Sequence, residues 1–222
     1  MGLQFNESEL NLAEKIIYIG MAKASESFAF FTKEKVSISS LGLNIKDVSA
    51  LDSFTKRNLN EQLAVLTTHL VGELTGVCFL MLSESDCKKI EEICISPKYR
   101  SDIINSLEMI DALLLEMDNI IAGSVITQFS NIFKFKVHGD VPGLKRVKVS
   151  ELSSAIKNEF KSTTYMLYFK CNFSTNNMII NPEFVWLLDD NFIHGVKKIA
   201  SDENEIESVN RFHSTINDQR RN

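Results

Sequence analysis

SDIINSLEMIDALLLEMDNIIAGSVITQFSNIFKFKVHGDVP, residues Ser101 to Pro142, reads as one long amphipathic helix followed by a strand. The helix is expected from about Asp102 to Ser130 and the strand in FKFKVHG. An advance of ~100° per residue gathers Leu107, Ile110, Leu114, Met117, Ile121, Val125 and Phe129 on one side, the stripe expected to face a core. Ala112, Glu116, Asn119, Gly123 and Thr127 gather on roughly the opposite side. Glu116 and Asn119 stand at i and i+3, so a carboxylate and a carboxamide project together from a rigid element. Ala112 and Gly123 bracket them with small side chains, which lets another protein's backbone come close. Glycine inside a helix costs ~1 kcal/mol against alanine; close approach is one reason to accept it, and helix packing is another.

Working outward, the same order of elements precedes this stretch. ELNLAEKIIYIGMAKASESFAFFT, from Glu9, is helical by its spacing of Leu10, Ala13 and Ile17. KEKVSISSLGLNI turns extended. LAVLTTHLVGEL and GVCFLMLS form a hairpin about Thr75-Gly76. SESDCKKIEEICI is a capped helix, with Ser83 or Ser85 before it, and SPKYRS is a connector. After the long helix come FKFKVHG, a Pro-Gly turn, an extended piece through LKRVK, two strand candidates (TTYMLYFKCNF and NNMIINPEFVWLL) and a closing helix, LDDNFIHGVKKIA. Helix, strand, hairpin and helix thus occur twice, with Glu14 matching Glu116 at a distance of 102 residues. The fold expected is α+β: two pseudo-symmetric halves, about 9–98 and 101–200, forming one antiparallel sheet covered by long helices. They make a single domain over 1–200, followed by a polar C-terminal tail at 201–222 that is expected to be either helical in part or disordered.

The chain has 222 residues, of which 44% are hydrophobic, enough for a substantial core. A formal charge of -5 argues against nucleic acid and anionic membrane as main partners, since both call for a basic face. Cys78, Cys87, Cys94 and Cys171 form no CxxC pair and no zinc spacing with histidine. Cys78 and Cys171 lie in apolar runs and read as buried small hydrophobes. His69, His138, His194 and His213 are scattered, so no metal site is expected. No GxSxG elbow, GxGxxG or P-loop occurs. Trp186, within FVWLL, reads as core. The opening MGLQFNESELN does not resemble a signal peptide, and no apolar run is long enough to span a membrane. A cytoplasmic location is the expectation.

ExxN on a helix is by itself also the pattern of an ordinary solvated face. The longer spacing Glu116-x2-Asn119-x22-Pro142 resembles the active-site signature of the CheC/CheX/FliY family of chemotaxis phosphatases. Glu116, Asn119 and Pro142 match it, and Gly123 fits the glycine common four residues after the asparagine. The likeness covers roughly Glu9 to Ala200. Duplication and length make the chain most like CheC. It departs at Ala112, where the family signature begins with Asp or Ser; Asp111 points ~100° away and is a poor substitute. In the first half Glu14 persists, but Ile17 and Ser40 stand where Asn and Pro are expected.

The resemblance implies hydrolysis of the aspartyl phosphate of a CheY-type response regulator. Asn119 would hold the attacking water and Glu116 would pair with the partner's lysine. Ala112 and Gly123 would line the partner-binding face. It implies no cofactor bound by this chain, with Mg²⁺ belonging to the regulator. An alternative is an adaptor that binds the phosphorylated regulator, or a CheD-type deamidase, with little or no catalysis. A structural part of the flagellar switch is a third possibility. The oligomeric state stays open between monomer and dimer.

Overall fold

The apolar runs of the two halves become paired strands at the centre of the molecule. The computed structural model describes residues 5–32, 34–39, 42–55, 57–100, 103–160 and 165–221. In chain order the elements are α1 (Glu7–Thr32), β1 (Ser37–Ser39), β2 (Asn44–Asp47), a 3-10 turn (Val48–Asp52), β3 (Gln62–Gly72), β4 (Gly76–Ser83), α2 (Glu84–Cys94) and the short α3 (Pro97–Arg100). Then follow α4 (Ile103–Phe133), β5 (Val137–Gly139), β6 (Gly143–Lys148), α5 (Val149–Lys157), β7 (Tyr165–Lys170), β8 (Asn172–Ser174), β9 (Ile179–Ile180), β10 (Glu183–Leu188), α6 (Asp190–Ala200) and α7 (Glu203–Arg221).

Seven strands pair in the order β2-β7-β10-β4-β3-β5, with β6 also on β3, and β1, β8 and β9 form a separate three-stranded sheet. Every pairing is antiparallel. The two stretches of chain interlock. β4 pairs β10 at the centre, β2 of the first half pairs β7 of the second, and β6 of the second half pairs β3 of the first. β4 and β10 are covered on both faces, which is why GVCFLMLS and EFVWLL read as continuous apolar runs rather than alternating ones.

The long helices α1 and α4 lie together on one face, over a core that includes Ile16, Leu66, Leu114, Phe129 and Trp186. The 3-10 turn and α5 cover a smaller apolar cluster on the other face, around Leu51, Val65, Phe79, Leu152 and Val185. The Trp186 ring stands edge-on to Phe129, 5.5 Å between centroids, so α4 is keyed to the central strand by an aromatic contact. Ser83 caps α2, accepting from the Asp86 amide at 3.1 Å. Asp189 caps α6 and also accepts from the Thr75 amide and hydroxyl, tying the β3–β4 turn to that helix.

Two local expectations are corrected. The long helix continues to Phe133, and only Val137–Gly139 of FKFKVHG is a strand. Lys134 ends the helix in the left-handed region at φ 61, a conformation costing ~1 kcal/mol without glycine. Its ammonium returns to the Asn131 carbonyl at 2.8 Å. Leu107, placed on the core stripe by periodicity, is 53% exposed, because a cleft of about 250 Å³ remains beside it, Cys87 and Arg146. The polar stretch after residue 200 is largely helical: α7 packs on α1 and buries Val209 and Ile216.

Candidate functional site

α4 presents its polar stripe as periodicity predicts. Ile110, Leu114, Met117, Ile121, Val125 and Phe129 are buried, whereas Ala112, Glu116, Asn119 and Thr127 are exposed and Gly123 half-buried. A β-carbon at Gly123 would meet nothing within 4 Å, so no packing within the molecule requires glycine there.

The second wall of the site comes from a break in the sheet. Gly139 of β5 faces Leu70 of β3, and Gly143 of β6 faces Thr67. Asp140, Val141 and Pro142 therefore stand against only two residues, Thr68 and His69. This is a bulge with one extra residue, at the point where proline has no amide to give the ladder. The Asp140 amide donates to the His69 carbonyl at 2.8 Å, and the Val141 amide donates to the Asp140 carboxylate at 2.7 Å. Gly72 lets the chain pass close behind: at φ 131, its β-carbon would lie 2.0 Å from the Lys136 carbonyl oxygen.

Between these walls lies an open cleft of about 420 Å³, lined by Ala112, Leu115, Glu116 and Asn119 of α4 and by Gly139, Asp140, Val141 and Pro142. The fold thus brings Pro142 to the Glu116–Asn119 face across 22 intervening residues. Neither Glu116 nor Asn119 is engaged by a hydrogen bond or ion pair within the described residues. Val141 is 84% exposed at the rim. A free carboxylate, a free carboxamide and an apolar rim residue on a rigid frame suit contact with another macromolecule.

Solved structures with this architecture include FliY of Thermotoga maritima, at TM-score 0.62 and 10% identity, with 96% of this chain and 100% of that one covered. The FliM middle domain of Vibrio alginolyticus matches at TM-score 0.54 and 10% identity, over 86% and 98% of the two chains. The chemotaxis protein CheX of Vibrio vulnificus matches at TM-score 0.50 and 11% identity, over 78% and 99%. The fold is that of the CheC/CheX/FliY proteins. No protein-family profile and no curated protein sequence matches the chain.

Within this fold the departures from the signature have plain surroundings. Ala112 is exposed and offers no polar group. Asp111 cannot replace it, because its carboxylate is held by the Arg146 guanidinium of β6 in a two-pronged pair at 2.5 and 3.0 Å. On α1, Glu14 is half-buried, and it lines a cleft of about 390 Å³ with Asn11, Lys15, Tyr18 and His213. Ile17 is 0% exposed, whereas Asn119 is open to solvent. α7 lies over this part of α1: Lys15 donates to the Asn210 side chain at 2.7 Å, and the Tyr18 and His213 rings are 4.9 Å apart. Burial, with the charge of Lys15, lowers the His213 pKa. Ser40 lies outside the described residues.

Sequence reasoning missed a residue beside the site. Asp118 is buried under Asn119 and accepts from the Thr68 hydroxyl at 2.7 Å. A carboxylate in the middle of the apolar stripe, between Leu114 and Ile121, is the signal that points to it. No group of three or more His, Cys, Asp or Glu among the described residues could hold a metal ion, and no helix of them is long and apolar enough to cross a membrane.

Proposed function

We propose that this protein hydrolyses the aspartyl phosphate of a CheY-type response regulator in chemotaxis signalling, through one ExxN site on α4. The observation that carries this reading is the cleft itself. The signature residues Glu116, Asn119 and Pro142, distant in sequence, line one exposed cleft. Acyl phosphates are already activated, so catalysis needs mainly positioning and electrostatics. The Asn119 carboxamide, donor and acceptor in one group, holds a water in line with the phosphorus. That water attacks, the bond from phosphorus to the aspartate oxygen breaks, and phosphate leaves with the carboxylate restored. Glu116, with Asp140 on the facing wall, takes up the regulator's lysine, a contact that strengthens as the interface excludes water. Mg²⁺ enters with the regulator, and no residue of this chain is covalently modified. The matched order of the two halves supports descent from a duplicated unit, whose first copy now packs against α7.

The adaptor reading has one observation in its favour: Ala112 supplies no hydrogen bond where the signature has Asp or Ser, and Asp111 is committed to Arg146. In that reading the α4 face binds the regulator, or a CheD-type deamidase, without accelerating hydrolysis. Loss of radiolabel from a phosphorylated regulator decides between them. Asn119→Ala is expected to abolish most of the acceleration, by about 100-fold, while leaving binding largely intact. Full activity in Asn119→Ala rejects the site assignment, and binding without acceleration by the unaltered protein selects the adaptor.

A further inference from the structure

The cleft has its walls on different elements, and one buried contact joins them. We propose that Asp118 is a positioning residue, which through Thr68 holds the Glu116–Asn119 face of α4 and the Asp140–Pro142 bulge at the spacing that hydrolysis uses. The inference rests on the reading of this cleft as a phosphatase site.

Asp118 and Thr68 are each 2% exposed, and Thr68 Oγ1 donates to Asp118 Oδ2 at 2.7 Å. Thr68 is one of the two residues facing the bulge. Its methyl group underlies Gly139: a β-carbon there would lie 3.0 Å from Thr68 Cγ2 and 3.2 Å from Ile126 Cδ1. Thr68 therefore touches one wall with its methyl and the other with its hydroxyl. Asp118 is the residue before Asn119, so a slip of α4 that breaks this bond also displaces the carboxamide.

The same contact responds to pH. Burial raises the Asp118 pKa to about 7, against the smaller opposing effect of the Thr68 hydroxyl, and no charged group of α1, β3, β4 or β5 contributes. Cys78, across from Thr68 on β4, feels the Asp118 charge, but burial first and that charge second push its thiol well up, so it stays neutral. His69 points to the opposite face of the sheet and meets Glu159 at 3.5 Å. His138 and Asp140 of the second wall are exposed. An ionised acceptor makes the stronger hydrogen bond, so the Thr68–Asp118 contact strengthens as pH rises through this range, while the cost of burying the charge falls on the stability of the whole fold.

The test uses the full chain and a CheY-type regulator labelled from acetyl phosphate, with spontaneous loss subtracted, between pH 6 and 8. Asp118→Asn keeps an acceptor for Thr68 without a titrating charge. The ratio of wild-type to Asp118→Asn rate is expected to be near one at pH 6 and about threefold at pH 8. Asp118→Ala and Thr68→Val are expected to lose about tenfold in kcat with KM changed less, because the catalytic groups remain but are misplaced. Hydrogen exchange at the Asp140 amide should quicken in these two variants and not in Asp118→Asn. Wild-type kcat and exchange in both variants overturn the clamp, and a rate ratio flat with pH overturns its pH response. Full activity in Asn119→Ala instead overturns the site reading, and the exchange measurement then decides the clamp alone.

Discussion

Asp118 also carries a consequence for stability, separate from any activity. Its carboxyl titrates near 7 in the folded chain, against 3.8 for the free group, so the native state holds the proton across that window. A raised carboxyl pKa means stability is greatest below the lower value and is lost as pH rises through the higher one. Asp118→Asn removes this loss and still accepts from Thr68. Its advantage over the wild type is expected to widen between pH 5 and pH 8 by on the order of 2–3 kcal/mol. Urea denaturation at the two pH values measures it, and a gap independent of pH would mean that the carboxyl does not titrate there. Glu116 and Asn119 were legible from sequence because a helix fixes side-chain direction by number alone. Asp118 was not, because the stripe was traced through apolar residues only. The bulge was out of reach: it exists only in the register of β5 and β6 against β3, a pairing that nothing local encodes.

Two helix glycines separate packing from function at the scale of elements. A β-carbon on Gly20 of α1 would fall 2.9 Å from Val125 Cα, so glycine sets the approach of α1 to α4. Gly20→Ala is expected to cost about 1–3 kcal/mol by forcing the helices apart. Gly123→Ala meets open space and is expected to gain about 0.5–1 kcal/mol from helix propensity, while weakening binding of a phosphorylated regulator if a partner backbone lies there. Thermal melts of both variants beside the wild type read the opposite signs. The element boundaries show the limits of local reading. FKFKV alternates like a strand, yet Phe133 is the last helical residue and is buried against Phe129 and Phe192, 5.6 and 5.8 Å between centroids. A lysine in the left-handed position gives no glycine to mark the stop. The separate β1-β8-β9 sheet was equally hidden, since β1 joins it through pairs more than 130 residues apart, such as Ser37 with Ser174.

For the whole molecule, the exchange of β2 and β6 between halves makes the fold indivisible. Neither half contains its own complete sheet. Residues 1–98 and 99–222 expressed separately are expected to lack cooperative unfolding, and mixing them should restore one transition by circular dichroism. A cooperative melt of either fragment alone would show that the halves are independent units. The broad architecture was readable in advance because the order of apolar runs is a property of the whole chain. Which strand lies beside which is decided by tertiary pairing.

That pairing has a bearing on how the protein is made. β4 is bounded on one side by β3, its neighbour in the chain, but its other edge is filled by β10, synthesised about a hundred residues later. Throughout that interval the emerging polypeptide carries an apolar strand with an open edge, the kind of surface that recruits other chains. The delay between β4 and β10 is therefore the interval of synthesis in which this strand is most open to pairing with another chain.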